Sequence, residues 1–285
     1  MTEQELELAR RRKWRWESPP ASAQEAQQLL ESVGLCLLRA QKGAPSLPVL
    51  AGAAEPSDPA LPVPEGFTLE LLRQRQAFEG RIFASNVLLM AASVFPYFYA
   101  LTGDRNPEQE SGVVARAGKL SRLAADVYAA IRKQGGATKR RLRDDLGGEP
   151  SQPALDRALG ELWSRLLIGR VDYTPADGAS WDVLYRWAPD EVKQGIRMSV
   201  AEALSGLVSR YLDAVMAAEQ KEVESFFSLF IPRSRVKETV NALLAAREVS
   251  FCTVGRRTLL ELTPPVEAVH PRMRRATGSL KKVAP

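Results

Sequence analysis

Histidine and cysteine are almost missing from this sequence. Among 285 residues there is one histidine, His270, and there are two cysteines, Cys36 and Cys252. A Ser-His-Asp triad would have to use His270, which lies in a proline- and arginine-rich tail, and a histidine-based zinc site has too few ligands. The cysteines lack metal-ligand spacing, and so few thiols are typical of a reduced compartment. We therefore predict no metal, no cofactor and a cytoplasmic location.

No segment typical of a signal peptide is visible, and there is a single long uncharged run. The N-terminal residues are charged throughout and include no apolar stretch of the signal-peptide kind. The run IFASNVLLMAASVFPYFYAL, residues 82–101, is long enough to span a bilayer. It contains Asn86 and two serines, and Pro96 removes a backbone donor late in the run. We predict a buried core helix broken at Pro96 rather than a membrane span, and therefore no membrane partner.

The excess of positive charge is small. Lys and Arg number 39 against 34 Asp and Glu, the formal net charge is +5, and hydrophobic residues make up 45% of the chain. A mildly basic chain is compatible with a polyanionic partner but does not require one. The length allows two or three domains, and the hydrophobic fraction is that of a globular protein with a real core.

The first twenty residues are basic and contain two tryptophans. The segment RRRKWRW interleaves five cations with Trp14 and Trp16. We favour a solvated arm whose tryptophans dock on the body over an arm whose cations contact phosphates while its aromatic faces stack on bases. We place this arm at residues 1–20 and an N-terminal helical domain at residues 21–110, with a helix over about residues 69–80. A winged-helix-like arrangement of that domain stays an open alternative.

Beyond residue 115 the same order of elements is predicted twice. Residues 115–190 show three helical patterns and then the hairpin RVDYTPADGASWDVLYRW, with strands at 168–173 and 181–187. Residues 198–263 repeat three helices and a hairpin, and residues 264–285 form a basic tail. Three helices followed by a two-stranded hairpin is the winged-helix arrangement, a relative of the helix-turn-helix. The predicted fold is therefore mainly α with small β-hairpins, with tandem winged-helix domains behind an N-terminal helical domain.

The winged-helix prediction carries expectations about contacts. The third helix enters the major groove of DNA, and the hairpin, called the wing, contacts the backbone or the minor groove. Winged helices also serve as protein-protein modules, so the fold alone does not settle the function. Trp181 and Trp187 have the same parity along the predicted second strand, so both should face the same side of the wing.

Clusters of cations lie in both predicted winged helices. In the first, the segment KRRLR forms a short helix before the third helix. In the second, cations stand near the start of the third helix and at the hairpin tip. Such runs are as typical of a solvated face as of a surface that contacts phosphates. The candidate DNA-binding residues in these clusters are Lys139, Arg140, Arg141, Arg143, Arg233, Arg235, Lys237, Arg256 and Arg257.

Two stretches carry a resemblance to a known family. They are VSRYLDAVMAAEQKEVESFFSLFIPRSRVKETVNALLAAREVSF and LLMAASVFPYFYAL. With its tandem winged helices, the chain resembles the AlkZ/YcaQ-like superfamily of winged-helix DNA glycosylases, in particular the AlkZ-related branch, over most of residues 20–263. The resemblance implies a body shaped around double-stranded DNA. It also implies catalysis by a glutamine, an apolar residue and a second polar residue, which position water at the sugar–base bond of an alkylated or crosslinked nucleotide.

The best match to that catalytic motif is the segment LLRAQKG, at Arg39, Ala40 and Gln41. Gln41 keeps the residue type and is the candidate catalytic residue, whereas Arg39 stands where the family has glutamine. Arginine is a permanent cation without an acceptor lone pair, so it cannot orient a water by accepting its proton. We therefore assign Arg39 to DNA contact. Gln74 and Gln76 also stand two apart, and we interpret that spacing as a coincidence.

The sequence thus predicts a DNA-binding protein linked to the repair of alkylated or crosslinked DNA, with a degenerate catalytic motif. Whether the protein is an enzyme stays open, because the motif departs from the pattern of the family it resembles. The alternative is a non-catalytic transcription regulator or protein-interaction module. Double-stranded DNA is the expected partner, and the sequence does not indicate an oligomeric state.

Overall fold

Small antiparallel sheets alternate with helices along the whole chain. The computed structural model describes residues 1–38, 46–50, 66–81, 87–108 and 120–264, and every structural statement below concerns these residues. Within them helices predominate, and each sheet has three short strands. The prediction of a mainly α fold with small β-hairpins is confirmed at this level.

Twelve helices lie in the described residues. They are α1 (Glu3–Lys13), α2 (Ala23–Val33), α3 (Phe67–Arg73), α4 (Phe95–Thr102), α5 (Arg122–Gln134), α6 (Lys139–Asp145), α7 (Gln152–Ser164), α8 (Leu184–Trp187), α9 (Pro189–Arg197), α10 (Val200–Val215), α11 (Gln220–Phe227) and α12 (Arg233–Ala245). Their ends follow local chemistry. Ser121 caps α5 by accepting the N–H of Ala124, and Gly135, with φ +67°, ends that helix in a conformation that suits glycine.

The strands form three sheets with one common order. The strands are β1 (Leu35–Leu37), β2 (Ala77–Arg81), β3 (Val87–Ala91), β4 (Ala137–Thr138), β5 (Ile168–Thr174), β6 (Gly178–Val183), β7 (Ala217–Ala218), β8 (Val249–Val254) and β9 (Arg257–Leu262). In each sheet a separate strand pairs with the second strand of a hairpin, in the orders β1-β3-β2, β4-β6-β5 and β7-β9-β8. Around the last two sheets the chain runs helix, strand, helix, helix, hairpin. The domain limits drawn from the sequence stay a prediction.

The long apolar run does not form a helix broken at Pro96, and that prediction is wrong. Val87–Ala91 is the strand β3, and helix α4 begins only at Phe95. Pro96 lies in the first turn of α4, where a missing N–H is harmless because the first amides of a helix have no intrahelical partner. Among the described residues, no helix is both long enough and apolar enough to cross a membrane.

The helix expected over residues 69–80 is also wrong in its second half. Helix α3 ends at Arg73, and Ala77–Arg81 is the strand β2. Gln74 follows the helix as its C-terminal cap, and its amide donates to Glu70 Oε1 at 3.0 Å. Gln74 and Gln76 therefore lie between the end of α3 and the start of β2.

The hairpin of the middle sheet ends earlier than predicted. Strand β6 stops at Val183, and Leu184–Trp187 forms the short helix α8. Trp181 and Trp187 therefore do not share a strand, and the parity argument about them is wrong. Trp181 is buried and meets Trp163 edge to face, whereas Trp187 packs edge to face on Phe78, with 5.3 Å between the ring centroids.

Two main hydrophobic cores lie on opposite sides of strand β2. The larger core joins the first sheet to α4, α10 and α11, and Phe78 of β2 stacks on Phe95 within it, at a centroid distance of 4.1 Å. The second core belongs to residues 120–183, which we call the middle unit. Since side chains alternate along a strand, Glu79 and Arg81 face away from Phe78. Strand β2 thus places two charged residues at its boundary with the middle unit.

Candidate nucleic-acid interface

Helix α1 is docked on the body through two of its basic residues and through Trp14, which caps its C-terminus. Trp14 is buried and its Nε1 donates to the carbonyl of Ala214 at 2.7 Å. Arg10 Nε donates to the carbonyl of Val215 at 2.9 Å, and Lys13 pairs with Asp213 at 2.9 Å. These groups lie at the C-terminal end of α10, where carbonyls lack helical partners.

This docking favours the first interpretation of the arm for most of its length. Burial lowers the pKa of Arg10, which nevertheless stays a cation. Arg11 and Arg12 are exposed, and Arg11 pairs with Glu7 at 3.2 Å. Among the four cations of α1, Arg12 is therefore the most available for a phosphate.

The cations of α6 form one exposed edge of the middle unit, but several are already engaged. Lys139 pairs with Asp156 at 2.9 Å, and Arg140 pairs with Asp177 at the hairpin tip at 2.7 Å. Arg143 Nε donates to the carbonyl of Gly148 at 3.2 Å. Arg141 is exposed and is the member of this cluster best placed to meet a polyanion.

The second cation cluster lies on α12 and on the tip of the β8–β9 hairpin. Arg233 pairs with the buried carboxylate of Glu224 at 2.8 Å, and Arg235 lies 3.4 Å from Glu238. Arg257 lies 2.6 Å from Glu219, and this hydrogen bond raises the pKa of the guanidinium. Of the nine predicted DNA-binding cations that lie in the described residues, five thus have a carboxylate partner. Lys237 and Arg256 are exposed.

Helix α7, the third helix of the middle unit, is held on two sides. Trp163 Nε1 donates to the carbonyl of Glu79 at 2.9 Å, which ties the second half of α7 to strand β2. The Glu161 carboxylate accepts from the Ser121 hydroxyl at 2.7 Å. The first two turns expose Gln152 and Arg157. A nucleic acid that approaches this helix would therefore meet its N-terminal turns.

A buried ion pair joins β2 to the middle unit. Arg170 Nε and Nη2 donate to the two carboxylate oxygens of Glu79 at 2.7 and 2.6 Å. The side chains are 7% and 0% exposed, and the guanidinium also lies 5.6 Å from the Trp163 ring centroid. Two parallel hydrogen bonds satisfy the charges of this almost fully buried pair.

A partly open cavity of about 490 Å³, which we call the junction cavity, lies beside this ion pair. It separates the ends of β2 and β3 from α7 and the β5–β6 hairpin. Its lining residues are Arg81, Val87, Lys139, Asp156, Leu159, Gly160, Trp163, Arg170, Ala179 and Trp181. The four α7 residues recur at helical spacing and so form one face of that helix. A Cβ atom at Gly160 would clash with the Arg81 guanidinium, so glycine there lets the arginine lie across α7.

The candidate catalytic residue Gln41 and its neighbour Arg39 lie outside the described residues. The chain is described up to Leu38, whose amide N lies 3.4 Å from the carbonyl oxygen of Val87, to which it donates. Val87 lines the junction cavity.

Neither cysteine has the properties of a nucleophile. Burial raises the pKa of the Cys36 thiol to about 12. For Cys252, burial and a hydrogen bond from the thiol to Glu261 raise the pKa to about 11. Both thiols are therefore protonated at neutral pH, whereas nucleophilic cysteines need the thiolate. No group of three potential metal ligands occurs in the described residues, and His270 lies outside them.

Sequence reasoning missed the junction cavity and the Glu79–Arg170 pair. One signal was present: AFEGR places Glu79 and Arg81 at alternate positions of a segment that is otherwise apolar. That alternation is typical of a strand with one charged face. The partner of Glu79 is 91 residues away, and no local pattern indicates it.

Comparisons with known proteins point to one family. The family model described as "DNA glycosylase AlkZ-like" matches residues 65–280 of the chain. Among solved structures, the DNA glycosylase AlkZ of Streptomyces sahachiroi is similar, with a TM-score of 0.61 and 15% sequence identity; the match covers 92% of this chain and 70% of that one. At this identity the likeness shows a shared fold. No curated protein gives a significant match.

Proposed function

The chain belongs to the AlkZ-like DNA glycosylase family, and from this premise we propose that it binds double-stranded DNA in the repair of alkylated or crosslinked nucleotides. The family match over residues 65–280 carries the proposal, because it extends from α3 beyond the last hairpin. The fold shared with AlkZ of Streptomyces sahachiroi over 92% of the chain supports it.

We further propose that the units around the second and third sheets are winged helices. In both, the chain runs helix, strand, helix, helix, hairpin, and the separate strand pairs with the second hairpin strand, as in Ala137↔Trp181 and Ala217↔Glu261. The first sheet has the same strand order, which supports a related arrangement in the N-terminal part. The DNA-facing elements would then be α6, the first turns of α7, the start of α12 and the β8–β9 tip.

Binding to duplex DNA should weaken with salt through a small number of cations. Neutralising Z phosphates gives a slope of about −0.9Z in log K against log salt. Arg256→Ala and Arg141→Ala should each weaken binding to any duplex sequence and each flatten the slope by about one, since both side chains are exposed. Fluorescence anisotropy of a labelled duplex at several salt concentrations measures both quantities.

Lys193→Ala is the matched control for these variants. Lys193 is an exposed cation on α9, outside the proposed surface, so its removal should leave the slope unchanged. An equal change in all three variants would show that overall charge and not this surface governs binding. Absence of duplex binding by the wild type at low salt would remove the DNA-binding proposal itself.

Base release is the test of chemistry at Arg39 and Gln41. We expect the wild type to release little base from alkylated DNA, because Arg39 cannot accept a proton from water. Arg39→Gln should restore release if the surrounding scaffold is intact. Alkali-labile sites formed in a lesion-bearing duplex measure the reaction, with Gln41→Ala as the third variant.

Base release by the wild type, Arg39→Gln and Gln41→Ala together distinguishes an active enzyme from an inactive scaffold. Release by the wild type that is lost in Gln41→Ala supports retained chemistry at an altered motif. Release gained only in Arg39→Gln supports a scaffold that has lost the reaction. No release from any of the three removes the enzyme hypothesis in this form.

The alternative function, a non-catalytic regulator or protein-interaction module, is favoured by one observation. Among the described residues, five of the nine predicted contact cations already have carboxylate partners, and such neutralised side chains attract phosphates less than free ones. Duplex binding with a slope near zero, together with no base release, would support this alternative.

A further inference from the structure

Strand β8 is an open edge of the third sheet. Within the described residues the strand order is β7-β9-β8, so β8 (Val249–Val254) has a partner strand on one side only. Its sequence VSFCTV contains no charge, no proline and no glycine, and its register with β9 runs without a bulge. Proteins usually protect such edges with charges, prolines or bulges, because the unpaired backbone groups are a template for another strand.

The corresponding edge of the middle unit has this protection. Strand β5 is the edge strand in the order β4-β6-β5, and it carries Arg170 and Asp172 with a register irregularity between them. Asp172 is also engaged by Arg73 of α3. The two hairpins share one strand order, but only the edge strand of the middle unit is charged and irregular. Strand β8 therefore lacks the features that prevent an edge from pairing with another chain.

The side chain at the centre of β8 is a large exposed hydrophobic group. Phe251 is 56% exposed, although Val249 on the same face of the strand and Leu260, its partner on β9, are both buried. The apolar face of the hairpin thus continues beyond the core to the open edge. A strand added at this edge would cover the phenylalanine.

The hydrogen bonds of the hairpin determine which backbone groups face the open side. Thr263 donates to the carbonyl of Glu248 at 3.0 Å, so this pair is hydrogen-bonded within the hairpin. Hydrogen-bonded and non-hydrogen-bonded positions alternate along antiparallel strands. The N–H and C=O groups of Val249, Phe251 and Thr253 therefore point to the open side. Another strand can pair with β8 only in registers that use these three residues.

We propose that β8 pairs antiparallel with β8 of a second copy of this chain, in a dimer whose twofold axis passes beside Cys252. In this register Phe251 of each copy is hydrogen-bonded to Thr253 of the other, as the alternation requires. Such a contact uses the same surface on both copies, which is the usual form of a twofold dimer. The two Phe251 rings become diagonal neighbours, a separation that aromatic side chains can bridge.

Two charges of opposite sign identify a second copy as the partner and select the register. The exposed residues Glu248 and Arg256 lie on either side of the uncharged strand, so a reversed copy places each charge opposite its complement. One ion pair then forms at each end of the strand pair. A shift by two residues in either direction brings Glu248 opposite Val254 or Thr258 instead and loses both ion pairs. The strands are short, so the dimer should be weak and reversible.

Charge reversal tests this register in solution. Sedimentation velocity of the full chain over a range of concentrations should show a monomer–dimer equilibrium. Glu248→Arg and Arg256→Glu should each raise the dimer Kd roughly 5- to 50-fold, because two ion pairs are replaced by two like-charge pairs. The double variant should return towards the wild-type Kd. Glu238→Arg is the matched control, since it reverses a 66% exposed charge on α12 and should leave the Kd unchanged.

Three results would overturn the proposal. They are a wild type that stays monomeric at every concentration, single variants with the wild-type Kd, and a double variant that dimerises less well than either single variant. The last two would show that Glu248 and Arg256 do not face each other. The substituted residues are exposed, so the variants should fold, and their urea midpoints verify this.

Cys252 provides an independent measure of the same register. In the proposed dimer the two Cys252 residues occupy a non-hydrogen-bonded pair, whose Cα atoms are about 4.5 Å apart and within disulfide range. Diamide accepts the two electrons and two protons of the two thiols and should crosslink the wild type. The reaction needs alkaline buffer, because burial and a hydrogen bond to Glu261 raise the pKa of Cys252 to about 11. Cys36→Ala should still crosslink and Cys252→Ser should not, whereas crosslinking that persists in Cys252→Ser would contradict the register.

Duplex DNA and a second copy should compete for the hairpin tip, although the dimer does not depend on the proposed function. Arg256 would meet a phosphate in one complex and Glu248 of the other copy in the other. Added duplex should therefore convert sedimenting dimers into DNA-bound monomers. Duplex that binds while the dimer persists would contradict the assignment of this tip to DNA. A dimer with the expected response to charge reversal in a protein that binds no duplex would support this proposal and remove the proposed function.

Discussion

Glu79→Ala should lower the free energy of unfolding by about 3–5 kcal/mol, because it leaves the buried Arg170 guanidinium without its carboxylate. The Glu79 side chain is 0% exposed and receives two hydrogen bonds from Arg170 at 2.7 and 2.6 Å. Urea denaturation followed by far-UV circular dichroism measures the change. The backbone carbonyl of residue 79, which accepts from Trp163, is still present in this variant. The loss of stability is therefore due to the removal of the Glu79 side chain.

A solvent-exposed pair next to this one is the matched control. Arg73 of α3 and Asp172 of β5 lie 2.7 Å apart and likewise join β5 to the N-terminal part of the chain, but their side chains are 52% and 39% exposed. Arg73→Ala should therefore cost no more than about 1 kcal/mol. A loss in Glu79→Ala as small as that in Arg73→Ala would show that water reaches the Glu79–Arg170 pair.

Replacing both partners shows how much of the lost stability comes from leaving one buried charge unpaired. Glu79→Leu combined with Arg170→Met should cost less than Glu79→Ala alone, because no charge is then left buried without a partner. The double variant should also disturb the junction cavity, since Arg170 lines it.

The regular part of the fold could be predicted from the sequence. In α7, Leu155, Leu159 and Leu162 recur at helical spacing after Ser151, and the structure places a helix over Gln152–Ser164 with all three leucines buried. Such periodicity exists because one face of the helix meets the core and the other meets water.

Strand β3 could not be predicted in this way, because Leu88 to Ala91 are all buried. A short strand covered on both faces has no alternation, so its sequence is indistinguishable from that of a buried helix. The junction cavity could not be predicted for a second reason: Glu79, Arg170 and Trp181 are brought together by packing between segments that are distant in the chain, and no local pattern indicates such packing.

Trp14→Ala should lower the free energy of unfolding by about 3–5 kcal/mol, as expected for a buried tryptophan. Trp14 is 5% exposed, belongs to the larger core and donates to the Ala214 carbonyl. Arg10→Ala should lower it by about 1.5–3 kcal/mol, because a charged donor to the carbonyls of Val215 and Ala217 is lost. Urea midpoints of the full chain measure both changes.

These effects follow from how helix α10 ends. Its last turn has no basic residue, and the next residue, Met216, has a positive φ of 65° without being glycine. The cations that interact favourably with the last carbonyls of a helix are therefore supplied by α1, about two hundred positions earlier in the chain. Arg12→Ala is the control, since Arg12 is exposed and its loss should change stability by less than about 0.5 kcal/mol.

The same three variants decide between the two interpretations of the arm. If α1 acts by holding α10, Arg10→Ala and Trp14→Ala lower stability, and Arg12→Ala changes neither stability nor the salt slope of DNA binding. If exposed cations of the arm also contact phosphate, Arg12→Ala keeps wild-type stability but flattens that slope by about one. Equal urea midpoints for Arg10→Ala and Arg12→Ala would contradict the docking role, because they would show that the bonds to Val215 and Ala217 contribute nothing to the folded state.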